Sequence, residues 1–146
     1  MTTSFRLGQP AILAAQTQLK KLKQSCQEIT AAVLLTEDGF EVAALDTDQA
    51  KTSRLAAMGS SLAAISSAIA QEAGIAAYRR LIVESEEGMV AVTKVPDCKP
   101  SMILAVVCSD QSKLGQLIWS ANHCCTEISK ALKKTNNQTT TARKIS

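Results

Sequence analysis

Apolar positions near the start of the chain recur at steps of three and four residues, the spacing of one face of a helix. This stripe begins after Pro10 and consists of Ile12, Ala15, Leu19, Leu22 and Cys26. The period then changes, because residues 29–36 (ITAAVLLT) are β-branched and apolar, a Glu-Asp-Gly turn signal follows, and residues 40–45 alternate. The pattern predicts an amphipathic helix followed by a β-hairpin.

The second half of the chain repeats this change of period. Helical spacing returns from about residue 52 to residue 73, and Gly74 lies where a helix stop is expected. Apolar runs at 78–85, 89–95 and 101–108 predict three strands, and the last is apolar throughout, as in a central strand. Asp110 is an N-cap for a final helix, whose apolar stripe is Leu114, Leu117, Ile118, Ala121, Cys125, Ile128 and Leu132.

The order of these elements defines a fold class. A helix, two strands, a helix, three strands and a helix predict an α+β fold in which a mostly antiparallel five-stranded sheet lies between helices. The 146 residues are of single-domain size, and 46% hydrophobic residues suffice for its core. We divide the chain into a polar N-terminal segment at 1–9, one domain at 10–132 and a basic tail at 133–146, which its composition predicts to be disordered.

The net charge of +3 hides a division along the chain. Residues 1–27 and 133–146 each carry four basic residues and no acid, which leaves −5 for residues 28–132. Aromatic residues make up 3% of the chain, too few for platforms on which nucleobases stack. We therefore expect no nucleic-acid partner.

Cysteine usage indicates a reducing compartment. The five cysteines form no C-x-x-C pair, and their odd number leaves at least one thiol unpaired in a monomer. The first nine residues are polar and lack the apolar run of a signal peptide. These features predict a cytoplasmic protein.

Residues that carry enzyme chemistry are scarce. The single histidine, His123, lies in a predicted helix, and no serine or cysteine stands in a nucleophile motif. His123, Cys124 and Cys125 point about 100° apart on a helix and do not converge on a metal, so Cys125 is expected in the core and His123 near the surface. The glycines are scattered singly, without a phosphate-binding loop. We expect no catalytic residue, no metal and no cofactor.

The predicted second helix lacks the charged outer side of an ordinary surface helix. The seventeen residues between Arg54 and Glu72 carry no charge. The large residues Leu55, Met58, Leu62, Ile65 and Ile69 share one side, which we expect on the sheet. A flank of small residues (Ala56, Gly59, Ser60, Ala63, Ser67 and Ala70) and an opposite strip (Ala57, Ala64 and Ala68) suit the close approach of another helix.

Three interpretations of this helix compete. A membrane span is disfavoured, because four serines, a glutamine and mostly alanine provide little apolar drive. A helix buried inside the monomer and a helix at a protein interface stay open. The interface is favoured, since few elements are left to cover a second face of the helix.

The succession of motifs resembles the Roadblock/dynein light chain family. The resemblance covers roughly residues 10–132 and lies in AAVLLTEDGFEVA, the uncharged helix, LIVESEEGMVAVTKV, and SMILAVVCSDQSKLG opening a last helix. It implies a five-stranded antiparallel sheet with the long helix on one face and the two terminal helices on the other. It also implies a homodimer in which 79–85 and 55–73 pair with their copies into one continuous sheet. The implied dimer contacts are Ala56, Gly59, Ala63, Ser67, Ala70, Arg80, Ile82 and Glu84.

The same resemblance implies a function. Bacterial members similar to this chain, including regulators of gliding motility, bind small Ras-like GTPases and influence their nucleotide cycle without a catalytic side chain. The implied role is a non-enzymatic homodimeric regulator or scaffold that biases the switch conformation of a GTPase. The implied GTPase contacts are Ala57, Ser60, Ser61, Ala64 and Ala68. The alternatives are a small-ligand sensor, with the ligand between sheet and helix, an orphan scaffold without a GTPase partner, and an enzyme.

Overall fold

A computed structural model describes residues 7–45 and 48–145, with side chains as far as Thr135. The helices are α1 (Gln9–Ser25), α2 (Gln49–Glu72) and α3 (Leu114–Ile145), and a short 3-10 turn (Gln111–Lys113) precedes α3. The strands are β1 (Ile29–Thr36), β2 (Glu41–Ala44), β3 (Arg80–Ser85), β4 (Gly88–Lys94) and β5 (Met102–Cys108). The predicted order of elements and the α+β class are confirmed.

The five strands form one antiparallel sheet in the order β2-β1-β5-β4-β3. The predicted central position of the last strand is confirmed, because β5 lies between β1 and β4 and is buried along nearly its whole length. This order leaves β2 and β3 at the two edges of the sheet.

Helices cover both faces of the sheet. On one face α1 and α3 enclose a large apolar cluster with Leu34 and Leu104 of the sheet at its centre. On the other face α2 encloses a smaller cluster around Leu35 and Ile103. Neighbouring residues of one strand serve opposite clusters, because successive side chains of a strand point to opposite faces.

Local signals fix the helix ends. The carboxylate of Asp48 accepts hydrogen bonds from the backbone N–H groups of Ala50 and Lys51 at the start of α2. Gly74 has a φ of +69°, the left-handed conformation that ends helices, which confirms the predicted stop. The Asp110 carboxylate accepts from the Ser112 N–H at 2.9 Å, so the predicted cap acts one turn before α3 begins.

The last helix extends further than the sequence pattern predicted. The backbone of α3 is helical to Ile145, where the composition predicted a disordered tail at 133–146. The region contains neither proline nor glycine, so nothing in it interrupts the backbone hydrogen bonds of the helix. Of the predicted N-terminal segment, residues 1–6 lie outside the described residues.

Candidate interaction surface

The long helix α2 packs on the sheet through its small residues. Its buried positions are Thr52, Ala56, Gly59, Ala63, Ser66 and Ala70. Three of its large apolar side chains are more than half exposed, Met58 and Ile65 at 55% and Ile69 at 62%. The prediction that the large side faces the sheet is therefore wrong.

The sheet itself explains this orientation. Leu35 of β1 and Ile103 of β5 point towards α2 and are completely buried, so the strands supply the bulk of this layer. A methyl group added at Gly59 would lie 3.6 Å from side-chain atoms of Leu35 and Ala105, which places the helix backbone close to the sheet. Large residues from the strands and small residues from the helix together fill the space at normal packing density.

This packing buries part of the implied dimer set within the single chain. Ala56, Gly59, Ala63 and Ala70 lie against the sheet of their own chain. Of the other residues in that set, Ser67 and Glu84 are exposed and Arg80 and Ile82 are half-buried.

The implied GTPase contacts lie mostly on the outer side of α2. Ala57, Ser61, Ala64 and Ala68 are exposed. Ser60 is half-buried, and its hydroxyl donates a 2.6 Å hydrogen bond to the carbonyl oxygen of Glu37 in the β1–β2 turn. We call the four exposed residues the outer face of α2; it is formed by small side chains without charge.

The large side chains of α2 form a second surface beside the outer face. We call Leu55, Met58, Leu62, Ile65 and Ile69 the apolar flank. Leu62 is about 160° around the helix from Ser60, so the apolar flank lies on the side of β4 and β3, away from the β1–β2 turn. Leu55 and Leu62 are partly buried against the α2-side cluster, whereas Met58, Ile65 and Ile69 are exposed. Contiguous exposed apolar surface of this kind marks interaction sites.

The strand β3 continues this surface to the edge of the sheet. It pairs only with β4, and no strand in the described part of the chain lies beyond it. Leu81 packs on the α2 side, where Val83 is 46% exposed, while Arg80, Ile82 and Glu84 occupy the opposite face. The strand contains no proline, so its outer N–H and C=O groups are available for pairing with another strand.

No described arrangement resembles a catalytic or metal centre. His123 is exposed and stacks on Trp119 with 5.2 Å between ring centroids, whereas Cys124 and Cys125 are buried, which confirms the predicted places of His123 and Cys125. Burial raises the pKa of the Cys124 thiol to about 12, so it is protonated and weakly nucleophilic at neutral pH. Within the described residues, no three histidine, cysteine or acidic side chains are grouped to hold a metal ion. None of the helices described is long and apolar enough to cross a membrane.

A pocket that the sequence did not predict lies between the β4–β5 loop and α3. It has a volume of about 480 Å³, and its lining residues are Val95, Asp97, Cys98, Lys99, Ser101, Ser129, Leu132 and Lys133. Its polar groups bond mainly within the chain: the Ser129 hydroxyl donates to the Pro96 carbonyl, and Lys133 Nζ lies 3.8 Å from an Asp97 carboxylate oxygen. Val95 and Leu132 of its lining belong to the α1/α3-side cluster, so the pocket lies on the opposite face of the sheet from α2.

Solved structures share this architecture. MglB of Myxococcus xanthus has a TM-score of 0.77 at 14% identity, over 89% of this chain and 96% of that one. The gliding protein MglB of Thermus thermophilus has a TM-score of 0.77 at 17% identity, over 92% of this chain and 99% of that one. An MglB with a tetrameric arrangement has a TM-score of 0.78 at 18% identity, over 92% and 98% of the two chains. At these identities the likeness establishes the fold.

The sequence itself carries the family assignment. No matching sequence was found among the curated proteins. The model of the Roadblock/LC7 domain matches residues 15–107, a segment that contains the whole of α2 and β3. The match spans more than half of the chain, and we conclude that this protein belongs to the Roadblock/LC7 family.

Proposed function

We propose that the protein is a homodimeric, non-enzymatic regulator or scaffold of a Ras-like small GTPase. The observation that carries this proposal is the apolar flank of α2 beside the unpaired edge of β3. Family membership supports a regulatory role, and the resemblance of the sequence to bacterial GTPase regulators supports the class of partner.

A second copy of the chain satisfies both parts of this surface at once. Two copies related by a two-fold axis perpendicular to the sheet pair their β3 strands and keep both α2 helices on the same side of the joined sheet. The two apolar flanks then lie next to each other, because each flank points towards β3. Met58, Ile65 and Ile69 leave water, and no N–H or C=O group of the paired edges is left open.

The outer face of α2 stays exposed in this dimer and is the proposed GTPase contact. The outer face lies opposite the small buried residues through which α2 packs on the sheet, so dimerisation does not cover it. Small side chains allow a partner's backbone to approach closely. A partner that binds one arrangement of the switch loops more tightly shifts the GTPase towards it, without an arginine finger.

The dimer is tested separately from the GTPase. The change Ile65→Glu places a charge in the apolar flank, and sedimentation velocity over a range of concentrations is expected to show a shift from dimer to monomer. The change Thr17→Glu adds the same charge at an exposed site of α1, on the β2 side of the sheet, and should leave the dimer intact. A parent chain that stays monomeric at high concentration contradicts the dimer.

The GTPase is tested by capture from a lysate of the source organism. The tagged protein is incubated with GDP or with a non-hydrolysable GTP analogue, and bound proteins are identified by mass spectrometry. We expect a small GTPase enriched in one nucleotide state and lost with Ala64→Arg, whose dimer persists. The variant Thr17→Arg, at an exposed site of α1, is the control and retains the GTPase. A stable dimer that captures no small GTPase in either state contradicts this part of the proposal.

A further inference from the structure

Arg80, the first residue of the edge strand β3, is half-buried without an acidic partner. Its Nη2 donates a 2.5 Å hydrogen bond to Oδ1 of Asn122 in α3, while its Nε has no hydrogen-bond partner. Thr93, directly across from it on β4, is 4% exposed, and its hydroxyl also lacks a partner. Within the described residues, no carboxylate lies within ion-pair distance of Arg80.

A partly buried guanidinium with open donors is a receptor for a carboxylate. Arginine presents its N–H groups as a planar fork that matches the two oxygens of a carboxylate, and a charged acceptor forms the stronger hydrogen bonds. Asn122, which accepts the bond from Nη2, and Thr93, which lies across from Arg80 on β4, are both neutral, so neither compensates the charge of the guanidinium. An acceptor supplied by another chain that pairs along β3 would approach from beyond this edge, because β4 occupies the other side of the strand.

The strand carries a carboxylate suited to this receptor in a second copy. Glu84 is exposed and lies on the same face of β3 as Arg80. Within its own chain it lies opposite Met89 of β4. We propose that Glu84 of a second copy binds Arg80, and Arg80 of the second copy binds Glu84, so that two ion pairs fix the register in which the β3 strands meet. This inference rests on the proposed homodimer and specifies its alignment.

Side-chain alternation restricts the possible registers. When a two-fold axis perpendicular to the sheet relates two antiparallel strands, directly opposed residues lie on the same face of the sheet. The axis then passes midway between the two copies of one β3 residue. The identity of that residue defines the register. An axis at Ile82 opposes Arg80 to Glu84 of the second copy on one face. On the other face the same axis opposes Leu81 to Val83, apolar against apolar.

Neighbouring registers lose this match. An axis at Leu81 places Arg80 opposite Ile82 of the second copy, and an axis at Val83 places Glu84 opposite Ile82. An axis at Glu84 opposes the two Glu84 carboxylates, which is destabilising because like charges face each other directly. The register centred on Ile82 combines opposite charges with matched apolar pairs.

Charge reversal tests the ion pairs through their symmetry. Arg80→Glu alone opposes two pairs of carboxylates, and Glu84→Arg alone opposes two pairs of guanidinium groups. Each variant is expected to raise the dimer dissociation constant on the order of tenfold to a hundredfold. A mixture of the two variants restores both ion pairs in the heterodimer, which should return to parental affinity. The control Arg79→Glu makes the same charge change one residue away and should have a much smaller effect.

Cysteine cross-linking measures the register directly. Ile82→Cys places two thiols across the axis, within the distance that a disulfide spans, whereas Leu81→Cys and Val83→Cys place them a diagonal step further apart. We expect oxidation to cross-link the Ile82→Cys dimer fastest. The parent chain, oxidised in parallel, measures the cross-linking that its own five cysteines cause. Each variant is first shown to unfold at the parental temperature, so that loss of fold is not mistaken for loss of pairing.

The outcomes separate this inference from the proposed function. Preferential cross-linking at 81 or 83, or a mixture that fails to recover affinity while the parent dimerises, overturns the ion-pair register and leaves the dimer standing. Singly reversed variants that dimerise as tightly as the parent overturn the register in the same way. A parent chain that never dimerises removes the homodimer, and the register with it.

Discussion

The two faces of the sheet differ in how completely the chain covers them. Among the described residues, the α1/α3 side encloses twenty-one buried residues in one cluster, whereas the α2 side encloses seven. Two helices cover the first side and one helix covers the second. The second side therefore exposes Met58, Ile65 and Ile69 of α2 and Val83 of β3, whereas among the described residues of α1 and α3 the large apolar side chains that are exposed are Leu13 and Trp119.

This difference separates folding from association. The α1/α3 side buries most of the large aliphatic residues and supplies most of the hydrophobic stabilisation of the single chain. On the α2 side, a seam of small buried residues allows the helix to pack close to the sheet. Most of the apolar flank stays exposed to solvent. Mutations in the buried clusters should thus affect folding, whereas mutations in the apolar flank should affect the proposed association.

The largest expected effect distinguishes two adjacent residues of α2. Ala63 is 5% exposed and lies on the sheet, so Ala63→Glu buries a carboxylate without a partner and should cost about 4 kcal/mol or more of the free energy of unfolding. Ala64 belongs to the outer face, and Ala64→Glu should change that free energy by less than about 0.5 kcal/mol. Urea unfolding measures both. Similar losses for the two variants would contradict the observed orientation of α2.

A smaller effect is expected from a comparison of the apolar clusters on the two faces of the sheet, made at two neighbouring residues of β5. Leu104 and Ile103 are neighbours on β5, are both fully buried and face opposite sides of the sheet. We expect Leu104→Ala to cost about 4 kcal/mol and Ile103→Ala about 2 kcal/mol, because the single-helix layer can close part of the cavity. Urea unfolding at low protein concentration gives both values. Equal costs would show that the α2 layer is as rigid as the two-helix layer.

The smallest effect concerns the cap before α3. Hydrogen bonds from Ser112 lower the pKa of Asp110 below its ordinary value of 3.8, so the ionised carboxylate is favoured in the folded state. This stabilisation is present above the ordinary pKa and is lost as the pH falls through the lowered one. Asp110→Ala should lower the melting temperature near neutral pH, and the difference from the parent should narrow below about pH 4. A difference independent of pH would assign no role to the charge.

The periodicity of apolar residues was sufficient to predict the helices and strands. The orientation of α2 could not be predicted in this way, because it depends on how the helix packs on the sheet. In α1, polar residues such as Lys20 and Gln24 lie outside the apolar stripe and identify the exposed side. In β5, a run without polar residues identifies a strand that is buried on both faces. In α2 no charge marks an outer side, and by size alone the largest residues are the natural core. The orientation of α2 depends on Leu35 and Ile103 of the sheet, on which the helix packs. The sequence pattern of the helix does not contain these residues.

Non-local contacts set the same limit on the candidate site. Arg80 and Asn122 are 42 residues apart in the chain, and their pairing depends on how α3 packs on the sheet. The resemblance to the family placed Arg80, Ile82 and Glu84 at an interface, but it did not indicate that Arg80 lacks an acid in its own chain. The pocket beside the β4–β5 loop likewise depends on contacts between α3 and that loop.

The seam of small residues on α2 also has an evolutionary consequence. Gly59 and Ala63 hold the helix against the sheet, while the outer-face residues Ala57, Ser61, Ala64 and Ala68 are exposed. Selection can therefore replace the outer residues one by one with little penalty to folding, and under the proposed function such replacements would change the choice of partner. Homologues should vary at these exposed positions while they keep glycine, alanine or serine along the seam, so that one helix accommodates new partners on an unchanged scaffold.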